Sequence, residues 1–332
     1  MRNFTKSFFK RTMVIIMVVA FALTFTPYDI NVTDAANSNM TYFIYNASNA
    51  SYEGSYTIYA NTPLMLPADC QEQSRTVFGG DDRVLDYSKK GVVKLIGTND
   101  YLGTGFIVDD HVIATAAHCV TTSSATSKIV DSILIQTLDS NNNIVSTYVT
   151  PVKIHVPYNW MEFLQNPNST FHTNNEYYHW NYDYALITVE QNLHSYKKCN
   201  LSIALDDFYP ASNDTNPSDN ASVSVTGFPQ YINGVLKNNK TTHNLYTGTG
   251  VTLPYTNMNY QGENPYGRLM FYDTDISSGN SGSPVYYTET YNSKVYFDVV
   301  AICTAQKGYA NVGLRINEDM LKFYLSNSHI SY

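Results

Sequence analysis

Short hydrophobic runs separated by turn residues dominate the chain from Val77 onward. Val92–Ile96, Gly105–Val108, Val112–Ala116, Ile129–Leu138, Ile144–Val156 and Ala185–Val189 each read as a strand. A polar gap at Asp206–Asn220 precedes Ser222–Thr226, Arg268–Tyr272, Pro284–Tyr287, Val295–Ile302 and Val312–Ile316. Many short strands with turn signals between them predict an all-β sandwich or barrel. Only the last segment reads as a helix. Asn317 is placed to cap it, and Met320, Leu321 and Tyr324 make one apolar face. Trp160–Trp180 is aromatic, Asn-rich and aperiodic, and reads as a long inserted loop. Residues 37 to about 75 are rich in Asn, Ser and Tyr with weak periodicity, and read as a flexible leader before the fold begins. No fixed-period repeat is visible.

The N-terminus carries a different pattern. Arg2, Lys6, Lys10 and Arg11 precede an apolar run from Met13 to Phe25. That run is about 13 residues, short of the roughly 20 a membrane helix needs, and fits an export signal. Small residues at Ala35 and Ala36 suit cleavage there. The expected organisation is a signal at 1–36, a propeptide or leader at 37–75, a first β unit at 76–200, and a second at 201–332 with the closing helix. After signal removal no stable membrane association is expected. A net charge of −8 argues against nucleic acid, which selects a basic surface. The 29 tyrosines suit a loop-rich extracellular β protein, and the short signal points to a Gram-positive bacterium. Cys70, Cys119, Cys199 and Cys303 form no CxxC pair, so a zinc ribbon or redox motif is not expected, and their pairing stays open.

Three motifs carry chemistry. In Gly279-Asn280-Ser281-Gly282-Ser283-Pro284, glycines flank a serine. A serine nucleophile needs an exposed Oγ on a tight turn, with backbone N–H groups aimed at the developing oxyanion. The amides of Gly279 and Ser281 are the natural donors. In Thr115-Ala116-Ala117-His118-Cys119, small residues end a strand in a turn that can project an imidazole into a cleft, a setting the other histidines lack. In Asn181-Tyr182-Asp183-Tyr184-Ala185, an acid opens an apolar strand, where burial demands a partner such as an imidazole N–H. The order His118, Asp183, Ser281 is that of chymotrypsin, and differs from the orders of subtilisin and the α/β-hydrolases. It predicts His118 and Asp183 on a first barrel, Ser281 on a second, and a cleft between. His172, Glu176 and His179 form only a weak metal-ligand pattern, so no metal is expected.

From Val77 to the end, about three quarters of the chain resembles the glutamyl endopeptidase family of staphylococci and bacilli, a bacterial branch of the chymotrypsin fold. The resemblance rests on these three motifs and on Val77-Phe78-Gly79-Gly80-Asp81-Asp82-Arg83, Val225-Thr226-Gly227-Phe228-Pro229, Tyr272-Asp273 and Asn311-Val312-Gly313-Leu314-Arg315-Ile316. It implies a double β-barrel, a secreted serine endopeptidase made as a precursor, and cleavage of polypeptide substrates through an acyl-enzyme. It also implies that the new α-amino group of the mature chain, formed near Val77, approaches the specificity pocket; no cofactor is required for this chemistry, and a monomer is expected.

The pocket residues depart from the family pattern. Cys303, followed by Thr304, stands where the family has a histidine that binds the substrate glutamate, and Ile276 replaces a threonine. Asp275 lies six residues before Ser281, the spacing of the pocket-floor aspartate of trypsin-like enzymes, which selects Arg or Lys. The preferred residue therefore stays open. So do a selective toxin-like protease, a non-catalytic binding homologue of the same fold and a dedicated esterase. An enzyme that accepts arginine would cut beside Arg75 itself. Purified Ser281→Ala precursor is then expected to stay unprocessed by N-terminal sequencing, and its normal maturation would exclude self-processing.

Overall fold

The computed structural model describes residues 40–58, 80–97, 101–121, 130–166, 179–202, 221–253, 269–291, 294–307 and 310–327. All belong to one compact unit, Ser38–Tyr332. The export signal, Cys70, Arg75, Val77, His172 and Glu176 lie outside the described residues.

In chain order the strands are β1 (Met40–Asn46), β2 (Tyr52–Ile58), β3 (Val84–Leu85), β4 (Val92–Gly97), β5 (Tyr101–Asp109), β6 (Val112–Thr115), β7 (Val130–Leu138), β8 (Ile144–Val149), β9 (Pro151–Pro157) and β10 (Ala185–Val189). There follow β11 (Asn200–Leu201), β12 (Ser222–Gly227), β13 (Tyr231–Ile232), β14 (Val235–Leu236), β15 (Tyr246–Val251), β16 (Leu269–Tyr272), β17 (Pro284–Tyr291), β18 (Lys294–Lys307) and β19 (Ala310–Arg315). A first sheet runs β2-β1-β9-β10-β6-β5-β4-β7-β8. A second runs β16-β19-β18-β17-β12-β15-β3, and a bridge between Thr252 and Tyr272 brings the β15 and β16 edges together. The all-β expectation holds. β4, β6 and β10 are buried along their whole length, which explains why they read as mostly apolar rather than alternating; β4 also buries Lys94, whose Nζ donates to the carbonyls of Asn239 and Thr242. β3 lies early in the chain, among first-sheet strands, yet pairs with β15 of the second sheet.

Two regions differ from the sequence expectation. The segment read as a flexible leader contains the β1–β2 hairpin, whose first strand pairs with β9 from Tyr42 opposite Pro157 to Asn46 opposite Lys153. Its Tyr42 is fully buried. The ring stacks on Phe323 with centroids 4.1 Å apart, and its hydroxyl lies 3.0 Å from that of Tyr184. Ordering a hairpin costs conformational entropy, and a large aromatic driven into the core offsets it. The second difference lies in the stretch read as an inserted loop. Tyr158–Gln165 is a helix, α1, whose Trp160, Met161 and Phe163 are buried. Eight residues give the helical period too little length to stand out. The closing helix, α2 (Glu318–Asn327), forms as expected, with the Met320 N–H donating to the Asn317 Oδ1 cap at 3.1 Å. Its Met320, Phe323 and Tyr324 are buried.

Cys119, Cys199 and Cys303 are buried thiols, and no disulfide joins the described residues. No helix among the described residues is long and apolar enough to cross a membrane. Tyr42→Ala is expected to cost about 3–5 kcal/mol of stability, as large aromatic truncations in cores do. Tyr42→Phe is expected to cost about 1 kcal/mol through the lost hydroxyl contact. Urea unfolding midpoints of the two variants check both, and equal midpoints to the parent would show that the hairpin is not part of the cooperative fold.

Candidate active site

His118 sits in a single 3-10 turn, Ala117–Cys119, that ends β6. Ala116 remains extended (φ −77°, ψ 143°), so the chain turns sharply after it. Bonds from Cys119 N–H to Ala116 O and from Val120 N–H to Ala117 O close the turn. Ala116 and Ala117 are fully buried, which explains why only small residues fit. The turn is braced from behind. Thr121 Oγ1 donates to Ala117 O at 2.7 Å, and the indole Nε1 of Trp160 on α1 donates to Thr121 Oγ1 at 2.7 Å. The stretch read as an inserted loop thus supports the histidine.

Asp183 follows a second 3-10 turn, His179–Tyr182, and leads into β10, which pairs with β6. Pairing of these strands places Asp183 beside His118. The carboxylate is 1% exposed. Its Oδ1 accepts the backbone N–H of His118 at 2.8 Å and its Oδ2 faces Nδ1 at 2.7 Å. A buried carboxylate is costly without such donors, and here one residue supplies both. Nε2 of the same ring makes a short contact with Ser281 Oγ. The three predicted residues therefore meet.

Ser281 lies on a tight turn before β17. Gly279 and Gly282 both have positive φ, 94° and 77°, which side chains of L-residues avoid. At Gly282 space is equally restrictive, because a Cβ would sit 2.2 Å from both Thr104 O and Thr115 Oγ1. Those two residues belong to the first sheet. Thr104 N–H donates to Ser281 O at 2.8 Å, and Thr104 Oγ1 donates to Gly279 O at 2.8 Å. The serine turn is thus pinned across the cleft to β5, beside β6, the strand that leads to His118. Thr104 and Thr115 escape sequence inspection because nothing local distinguishes a threonine that binds its own sheet from one that binds another.

The expected pocket residues cluster beneath the turn. Ile276 and Cys303 are fully buried in an apolar group with Val225, Tyr272 and Val285. Cys303 is also tied to the turn, since Gly282 N–H donates to its carbonyl and its own N–H donates to Ser283 O, each at 2.8 Å. Thr304 is 3% exposed. Asp275, 3% exposed, accepts the Asp82 N–H on Oδ2 at 3.2 Å. His179 packs its ring on Phe163 with centroids 4.4 Å apart, and no cluster of metal-ligating side chains occurs among the described residues.

Burial pulls the His118 imidazole toward the neutral form, but the Asp183 carboxylate, with Cys119 next, outweighs it and raises the pKa above 6.5. The raised value favours the folded protein while the ring is protonated. That stability is complete below pH about 6.5 and is lost as pH rises through the folded value.

A family model described as a trypsin-like peptidase domain matches residues 103–291, more than half of the chain's 332 residues. A solved structure of a Glu endopeptidase in complex with MPD is similar over 76% of this chain and 99% of its own, at 17% identity with a TM-score of 0.54. Likeness at that identity establishes the fold, the expected all-β chymotrypsin-like one, with its strands paired in two sheets. No curated protein matches the sequence. Asp183→Asn is expected to lower the His118 pKa, because desolvation then acts without the carboxylate. An NMR titration of the imidazole protons reads the shift, and an unchanged value would mean that Asp183 is not its source.

Proposed function

The chain belongs to the trypsin-like peptidase domain family, and from that membership we propose that it is a secreted serine endopeptidase acting through an acyl-enzyme at Ser281. The observation that carries this reading is His118 bridging a buried carboxylate and a serine hydroxyl through its two ring nitrogens. In this reading His118 takes the proton from Ser281 Oγ as the oxygen attacks the substrate carbonyl. It then returns that proton to the leaving amine, and a water repeats the cycle to release the acid. Asp183 holds the Nδ1–H tautomer and stabilises the imidazolium. The amides of Gly279 and Ser281 receive the oxyanion, each such donor being worth roughly 10²–10³ in kcat.

Glutamate is a poor fit to the pocket of this reading. Ile276 and Cys303 offer a substrate carboxylate an apolar side chain and a thiol where the family has a histidine, and Asp275 adds a like charge. The apolar Ile276 and Cys303 favour a neutral side chain beside the scissile bond, and the Asp275 carboxylate favours a cationic one over an acid. Export and a leader ending near residue 75 complete the proposal.

A fluorophosphonate probe and a peptide-library cleavage profile test it. The folded wild-type protein is expected to label at Ser281, Ser281→Ala to stay unlabelled, and the profile to show no enrichment of glutamate before the cut. Absence of labelling in folded wild-type protein would refute the hydrolase reading. Strong glutamate enrichment would refute the pocket reading alone.

A further inference from the structure

The hydrolytic steps above leave one buried cation near Ser281 unused. Arg83 is 6% exposed. Its guanidinium is fully engaged. Nε donates to Asp81 Oδ1 at 2.8 Å and Nη2 to Asp81 Oδ2 at 2.6 Å, a two-pronged pair. Nη2 also donates to Tyr231 O at 2.9 Å. Nη1 donates to Ser277 Oγ at 3.0 Å and to Asn280 Oδ1 at 3.2 Å.

The last two contacts reach the loop that carries Ser281. Asn280 lies between Gly279 and Ser281, the two residues whose amides would hold the oxyanion, and it is 1% exposed. Its Oδ1 also accepts the Ser277 N–H at 3.0 Å, while its own N–H donates to Ser277 O at 3.0 Å. Asn280 and Ser277 thus form a closed knot, tied from outside by Arg83 and by Tyr231, whose carbonyl accepts the Ser277 hydroxyl at 2.8 Å. Asp81 in turn is held by the Asn233 N–H at 3.0 Å, and the neighbouring Asp82 N–H reaches Asp275 in the same loop. Asp82 and Arg83, the latter clamped by Asp81, therefore brace the segment from Asp275 to Asn280 at three points.

We infer that Arg83 is a positioning residue, acting through Asn280 and Ser277 to hold the Gly279 and Ser281 amides where the oxyanion forms. The inference rests on the serine hydrolase reading above. Arginine is required because one planar group must serve a carboxylate on one edge and two side-chain oxygens on another, which the point charge of lysine does not do. The side chain touches no substrate atom. Its removal loosens the donors rather than the binding site, and a misplacement of order 1 Å can cost about 10²-fold in rate.

Steady-state kinetics on a peptide substrate test this with Arg83→Lys, Asn280→Ala and the double variant. Arg83→Lys keeps a cation beside Asp81, and Asn280→Ala keeps the Arg83–Asp81 pair, so a failure of one to fold leaves the other informative. Each single change is expected to lower kcat by about 10–10²-fold with KM within about twofold. The double variant is expected to lose little more than either single one, because both act through one contact. Fluorophosphonate labelling rates are expected to fall in parallel. Wild-type labelling with unchanged kcat in both variants would overturn the role of Arg83 while leaving the hydrolase reading intact. So would multiplicative losses in the double variant, which indicate two independent structural defects. A wild-type protein that does not label at all would fail the hydrolase reading itself.

Discussion

The geometry of this molecule depends on one contact between its two sheets. Thr104, on β5, uses its N–H and its hydroxyl to hold the carbonyls of Ser281 and Gly279. Two hydrogen bonds of ordinary strength are modest in net free energy, about 1 kcal/mol each. Their value lies in what they align. Ser281 lies on the turn that leads into β17 of the second sheet and His118 on the turn that follows β6 of the first, so their separation is set by how the sheets meet. Gly282 makes that meeting possible, since a methyl group there would push the turn off β5. The absence of a side chain at one position therefore decides whether two side chains elsewhere touch.

Asp183 shows the complementary constraint. A carboxylate 1% exposed is tolerated only because His118 offers two donors, one from its backbone and one from its ring. The backbone donor orients the residue and the ring donor orients the imidazole. The same pair that satisfies the buried charge also fixes the direction of the second ring nitrogen, so folding and site geometry are met by one arrangement.

Much of this was legible in the sequence, for identifiable reasons. Strands such as β6 and β10 are buried on both faces and appear as nearly continuous apolar runs. His118, Asp183 and Ser281 each sit at a boundary between an apolar run and small or polar residues, where a reactive group is conspicuous. What escaped depends on partners distant in the chain. The β1–β2 hairpin is rich in tyrosine, which has both an apolar body and a polar tip, so its two faces do not separate by hydropathy. Its partners, β9 and Phe323, lie more than 100 residues away. Asp275 stands at a spacing that suggests a pocket floor, yet its bond to the Asp82 amide spans 193 residues. The triplet Asp81-Asp82-Arg83 carries no local pattern of its own beyond its place in the family-like segment. Its connection to Asn280 belongs to tertiary structure alone.

The hairpin changes what processing can mean for this protein. β1 is seated between β9 and β2, and its Tyr42 lies under Phe323 of the closing helix. Those contacts join described residues of the hairpin to described residues far along the chain, so they do not depend on backbone continuity between Ile58 and Gly80. The product of a cut there would be two polypeptides by covalent count and one body by folding, as in proteins reassembled from fragments. The excised piece would leave only by unzipping a strand from β9 and withdrawing an aromatic ring from the interior. Its departure would then be governed by the rate of local unfolding, on a clock separate from the cut itself.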